Sequence, residues 1–114
     1  MDILLIKPEW GEKILAGEKT WEIRGASTSK RGTIALAYSK TSKKFGEVEL
    51  VDCIALTRDL WENGQKKHCA SHISWDELLQ MYKKPYAWVM KNPIKYKEPV
   101  QYTHRHGAVI WVKE

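Results

Sequence analysis

Residues 17–25 read GEKTWEIRG, and the parity of this stretch decides the fold. Gly17 is a natural stop for the helix implied just before it, in which Trp10, Ile14 and Leu15 share one face and Pro8 suits the first turn. From Thr20 onward the period switches to two. Trp21 and Ile23 then point to one side and feed a core, whereas Thr20, Glu22 and Arg24 face the other. Lys19 stands at the junction, where its long side chain can swing over the same polar face. Such functional groups converge if the sheet is curved and this face is its concave side. A solvated face carrying an exposed Glu22 to Arg24 pair is the plainer alternative, and such a pair contributes little. Periodicity alone does not separate the two.

Before this stretch, residues 3–7 (ILLIK) form a buried-type strand, and the first helix is predicted over residues 9–16. Strands are predicted at residues 33–39 (TIALAYS), 46–57 (GEVELVDCIALT), 86–90 (YAWVM) and 107–112 (GAVIWV), with a Pro-bounded segment at residues 92–102. Residues 58–73 lack a clear period and are read as a loop with at most one short helix. Ser74 to Glu77 is a capping box. Behind it Trp75, Leu78, Leu79 and Tyr82 fall at helical spacing, which predicts a second helix over residues 74–82. Many strands with two short helices argue for an α+β domain built on a small curled sheet or barrel.

The 114 residues are expected to form one domain, residues 1–114, with a core of its own. The first apolar run ends at Ile6, too short for a signal peptide or a membrane span, so a cytoplasmic protein without membrane partners is the default expectation. Cys53 and Cys69 are then read as free thiols. The net charge is +5, and between Ala26 and Phe45 there are cations and no acids. Lys30, Arg31, Lys43 and Lys44 flank the strand at residues 33–39 and are the candidate nucleic-acid-binding residues. A solubilising surface is the alternative.

Gly17, Lys19, Glu22 and Arg24, spaced Gly-x-Lys-x-x-Glu-x-Arg behind the Pro8-x-Trp10 helix start, resemble the signature of the ASCH domain family. The resemblance extends to GEVELVDC and YAWVMKNP and covers most of the chain outside residues 58–73. It implies a PUA-like small β-barrel with two or three short helices, a cleft lined by Lys19, Glu22 and Arg24, and a link to RNA or modified nucleosides. Small bacterial members of the family hydrolyse N4-acetylcytidine to cytidine with a lysine, a threonine and a glutamate. Lys19 matches the lysine. The threonine's position falls on Glu22, while the hydroxyl nearest the lysine is that of Thr20. The position of the glutamate falls near Ser71 and His72, so its counterpart is absent or is Glu62 or Glu77.

Amide hydrolysis needs a nucleophile, a proton acceptor, oxyanion donors and an acid for the leaving nitrogen. Lys19, Glu22 and Thr20 are the catalytic candidates: Glu22 takes a proton from water or from Thr20, and Lys19 polarises the acyl oxygen or shuttles the proton. Arg24 holds Glu22, binds substrate, or anchors the basic loop through backbone carbonyls. Lys7, Tyr38, Trp61 and His72 complete the substrate-binding candidates, with Trp61 and Tyr38 as base platforms. Trp10, Trp21, Trp75, Trp88 and Trp111 occupy apolar positions and are read as core. His68, Cys69 and His72, with His104 and His106, can be drawn as a zinc set, but the spacing is not that of a finger, so neither a metal nor another cofactor is expected. Two functions follow. One is an amidohydrolase of N4-acylated cytosine compounds acting on a modified pyrimidine nucleoside. The other is an RNA-binding module that reads a base in the same cleft.

Overall fold

The computed structural model describes residues 1–104, 107, 108 and 110–114. In chain order the elements are β1 (Ile3–Ile6), α1 (Pro8–Leu15), β2 (Trp21–Arg24), β3 (Gly32–Tyr38), β4 (Lys43–Ala55), α2 (Arg58–Asn63), α3 (Gln65–His68), α4 (Trp75–Met81), β5 (Tyr86–Gln101) and β6 (Trp111–Val112). The strands form one mixed six-stranded sheet in the order β2-β5-β4-β3-β1-β6. β1 is buried along its whole length because it lies between two neighbours, parallel to β3 and antiparallel to β6. The α+β class follows from this sheet and its few short helices.

The long antiparallel pair of β4 and β5 carries the sheet, and three register shifts along β4 bend it. Expected as separate strands, residues 86–101 form the single strand β5. Pro93 and Pro99 are tolerated there because β2 pairs only with Tyr86 to Val89, which leaves the second half of β5 as an edge where a missing N–H costs no ladder bond. Among the described residues the sheet does not close. β2 and β6 end its two sides without pairing to each other, so the described strands form an open sheet and do not confirm the expected barrel. The gap is bridged by a side chain instead: Arg24 Nη2 on β2 donates to the Leu5 carbonyl oxygen on β1 at 3.0 Å.

Residues 58–73 also differ from expectation, holding two short helices. Thr57 caps the first by accepting the Leu60 N–H at 3.2 Å, and each helix is too short to show a hydrophobic period. The capping box predicted for α4 is present, with Ser74 and Glu77 bonding each other's backbone. That exchange also holds the Glu77 carboxyl below its ordinary pKa. The reading of residues 107–112 as a strand lies partly outside the described residues, and β6 accounts for its last two. Two apolar clusters frame the functional region. One joins α1 to β1, β3 and β4, and the other joins β2 and β5 to the helices that follow β4.

Candidate active site

Between these clusters, in the gap separating β1 from β2, lies a cleft of about 310 Å³. Its polar wall is Lys7, Lys19, Glu22, Arg24 and Ser39; its apolar wall includes Trp10, Trp61, Ile73, Leu78 and Met81, with Tyr82 beside them. The open seam of the sheet is therefore the candidate site, and residues from α2 to α4 line its other side.

The end of α1 delivers Lys19. Gly17 turns into the left-handed region at φ 81°, and both Glu18 N–H and Lys19 N–H donate back to the Lys13 carbonyl oxygen, at 3.0 and 3.1 Å. The chain reverses within one turn of helix and throws the next side chain inward. Lys19 is only 2% exposed. Its Nζ donates to the His68 carbonyl oxygen at 2.6 Å, lies 3.9 Å from Glu22 Oε1 and sits 4.8 Å from the centroid of the Trp10 ring. Burial pushes its pKa down to about 8, with the Glu22 charge opposing the shift.

Period two in β2 places Glu22 and Arg24 on the cleft side, while Trp21 joins the apolar cluster beneath the helices and Ile23 packs against that cluster and also reaches the cleft wall. Glu22 is 4% exposed, and its Oε2 accepts from Arg24 Nε at 2.9 Å. Arg24 is in turn fixed by Leu5 and by the Trp88 ring, whose centroid is 5.5 Å away. One buried carboxylate thus stands between two cations. Arg24 is the most exposed of the three at 19%, while the buried Lys19 amine, with its pKa pushed down to about 8, can exist in either protonation state near neutral pH.

The remaining candidates divide. Lys7 lines the cleft mouth and Trp61 its inner wall, but one face of Trp61 is already covered by the His68 ring, with centroids 3.6 Å apart. Tyr38 does not reach the cleft; it is buried in the core, stacked on Phe45 at 4.1 Å, because its parity in β3 points it at α1. His72 is exposed on the turn before α4 and takes no part in the wall. Thr20 stands in a different cavity, between the end of α1 and Met90 to Pro93, and its backbone bonds to Lys67 and Met90 hold it there. Glu62 and Glu77 are exposed and outside the cleft.

The four cations do not form one patch. Lys30 and Arg31 precede β3, whereas Lys43 and Lys44 face its far end, roughly 20 Å away at about 3.3 Å per residue. Lys30 pairs with Asp2, whose carboxyl it holds below its ordinary pKa; Lys44 pairs with Glu114 at 2.7 Å, and Arg31 lies 3.8 Å from Asp52. Among the described residues no three His, Cys, Asp or Glu side chains converge as metal ligands, and both ring nitrogens of His68 are engaged by backbone. The zinc reading of His106 lies outside the described residues. Cys53 and Cys69 are unpaired, and among the described residues no helix is long and apolar enough to cross a membrane. The sequence reading missed Trp10, Ser39, Tyr82 and His68. Trp10 read as plain core, Tyr82 as the last apolar residue of a helix face and Ser39 as a strand end, while His68 sits in the one segment without a local period.

An open mixed sheet with a buried lysine and glutamate and a half-buried arginine in its seam defines a small α+β domain with a polar cleft. The chain belongs to the ASCH domain family, whose description matches residues 4–100. ASCH from Zymomonas mobilis has a similar structure, with a TM-score of 0.68 at 16% identity over 88% of this chain and 72% of that one. A point mutant of the same protein gives 0.69 at 16% identity, over 88% and 74%. At this identity the likeness is one of fold. No curated protein sequence matches the chain.

Proposed function

We propose that this protein is an amidohydrolase that removes the acyl group from N4-acetylcytidine or a related N4-acylated cytosine compound. One observation carries the reading: a buried amine with a pKa near 8 is held 3.9 Å from a buried carboxylate, in a cleft of about 310 Å³. That volume lies at the low end of small-molecule sites, roughly 300–1,000 Å³, and suits a nucleoside better than a folded RNA segment. Membership of the ASCH family adds the association with RNA and modified nucleosides.

In this mechanism Glu22 takes a proton from a water molecule, which attacks the acyl carbon. The oxyanion of the tetrahedral intermediate develops against the Lys19 ammonium. Collapse breaks the bond to N4, the proton held by Glu22 passes to the leaving amine, and cytidine and a carboxylate result. Arg24 keeps Glu22 oriented throughout. With Thr20 turned to another cavity, water is the nucleophile. The RNA-reading alternative has less support, since Lys30 and Arg31 lie far from Lys43 and Lys44 and several of these cations are already paired. Incubation of purified protein with N4-acetylcytidine, followed by chromatography for cytidine, is the test. An absence of product, together with RNA binding that weakens steeply with salt, would favour the reader.

A further inference from the structure

His68 is completely buried, and its ring lies flat on Trp61 with the planes 8° apart. Its Nε2 is 2.8 Å from the Trp61 carbonyl oxygen, and its Nδ1 accepts the Ala70 N–H at 2.9 Å. A carbonyl oxygen only accepts and an amide N–H only donates, so these partners require a neutral ring with its proton on Nε2. One side chain thereby ties the end of α2 to the residue that follows the α3 turn. Trp61 is itself anchored, since its Nε1 donates to the Ile73 carbonyl oxygen at 2.9 Å. Inside the loop so closed, Cys69 is held at φ 58°, a conformation uncommon for a side chain of its kind. The product of that geometry is the direction of two successive carbonyls. Lys67 O receives the Thr20 N–H at 3.0 Å, and His68 O receives the Lys19 amine at 2.6 Å.

We propose that His68 is the positioning residue of the site: its doubly anchored neutral imidazole sets the turn of residues 61–70, and with it the carbonyl oxygen that aims the Lys19 amine along the cleft wall beside Glu22. The assignment concerns Lys19 whatever the substrate is; only its consequence for turnover rests on the proposed hydrolase activity.

The test uses protein labelled with 13C at lysine, the Lys19 resonance being identified by its loss in Lys19→Arg. His68→Phe keeps a flat ring against Trp61 and removes both backbone bonds. The expected result is a Lys19 titration midpoint at least half a pH unit below that of the wild type, because a buried ammonium has lost its charge-assisted acceptor. An unchanged midpoint in folded protein overturns the proposal. An upward move towards 10.5 also overturns it, since the ring would then merely exclude water. Should His68→Phe not fold, His68→Gln, which keeps a donor for Trp61 but has no acceptor at the position of Nδ1 for Ala70, decides by the same criterion. If wild type hydrolyses N4-acetylcytidine, the variant should lower kcat at least tenfold with KM little changed. If it does not, the hydrolase reading fails while the titration still decides the role of His68.

Discussion

Replacing Lys19 by Met should make the protein more stable at neutral pH and destroy its activity. Lys19 titrates near 8 in the folded protein against 10.5 as a free side chain. At about 1.36 kcal/mol per pH unit, a shift of roughly 2.5 units means that holding the ammonium in the cleft costs about 3 kcal/mol. The folded-state value is the lower one, so this cost is present in full below pH 8 and fades as the pH rises towards 10.5. Met fills nearly the same volume without a charge, and Glu22 keeps Arg24 at 2.9 Å, so no buried carboxylate is orphaned. Against the gain stands the His68 carbonyl oxygen, which loses its donor at a cost of about 1–2 kcal/mol. The net expectation is a gain of about 1–2 kcal/mol at pH 7, which moves a urea midpoint up by roughly 1 M if m is on the order of 1–2 kcal/mol/M. Between pH 7 and pH 10 that advantage should shrink by about 2–3 kcal/mol, because every other titrating group is common to both proteins and cancels in the difference. Paired urea titrations at the two pH values measure it. A Met variant less stable than wild type at pH 7, or a gap that does not change with pH, would refute the picture of a desolvated ammonium.

Activity should fall above about pH 8 as Lys19 loses the proton that stabilises the oxyanion, by about tenfold per pH unit in kcat/KM well above that point; a flat profile to pH 10 would remove Lys19 from this role. Glu22→Gln should lower kcat by roughly 10²–10⁴, the usual range for a lost general base, and should also lower the Lys19 pKa, because the Glu22 charge now raises it. The 13C titration used for His68 reads the second effect. Thr20→Val should leave kcat within a few-fold of wild type, since Thr20 lines another cavity; a collapse of turnover would make its hydroxyl the nucleophile instead of water.

The strongest local rules were legible directly from the sequence. Period two in residues 20–24 assigned Trp21 and Ile23 to the core and Glu22 and Arg24 to the opposite side; Gly17 marked the helix stop, and Ser74 with Glu77 marked a helix start. Those signals are written within a few residues of the side chains they place. Closure of the sheet is not local. Whether β2 meets β6 depends on bulges in β4 and on the length of β5, and only the assembled pairing shows that Arg24 crosses a gap to Leu5. Trp61 and His68 illustrate the same limit. Each lies in a helix of six residues or fewer, where no hydrophobic period can develop, and their stacking depends on the turn between them. Tyr38 failed as a base platform for the opposite reason, since a polar-looking strand end next to a basic loop proved to be packed under α1.

Hydrolysis of N4-acetylcytidine by wild type and Lys19→Met, measured side by side as cytidine and acetate released in equal amounts, is the most direct test of the claim that Lys19 and Glu22 form a catalytic pair. Turnover by the wild type, with a folded and more stable Met variant slower by at least a hundredfold, is the expected result. Equal turnover by the two proteins, or none by either, would contradict it.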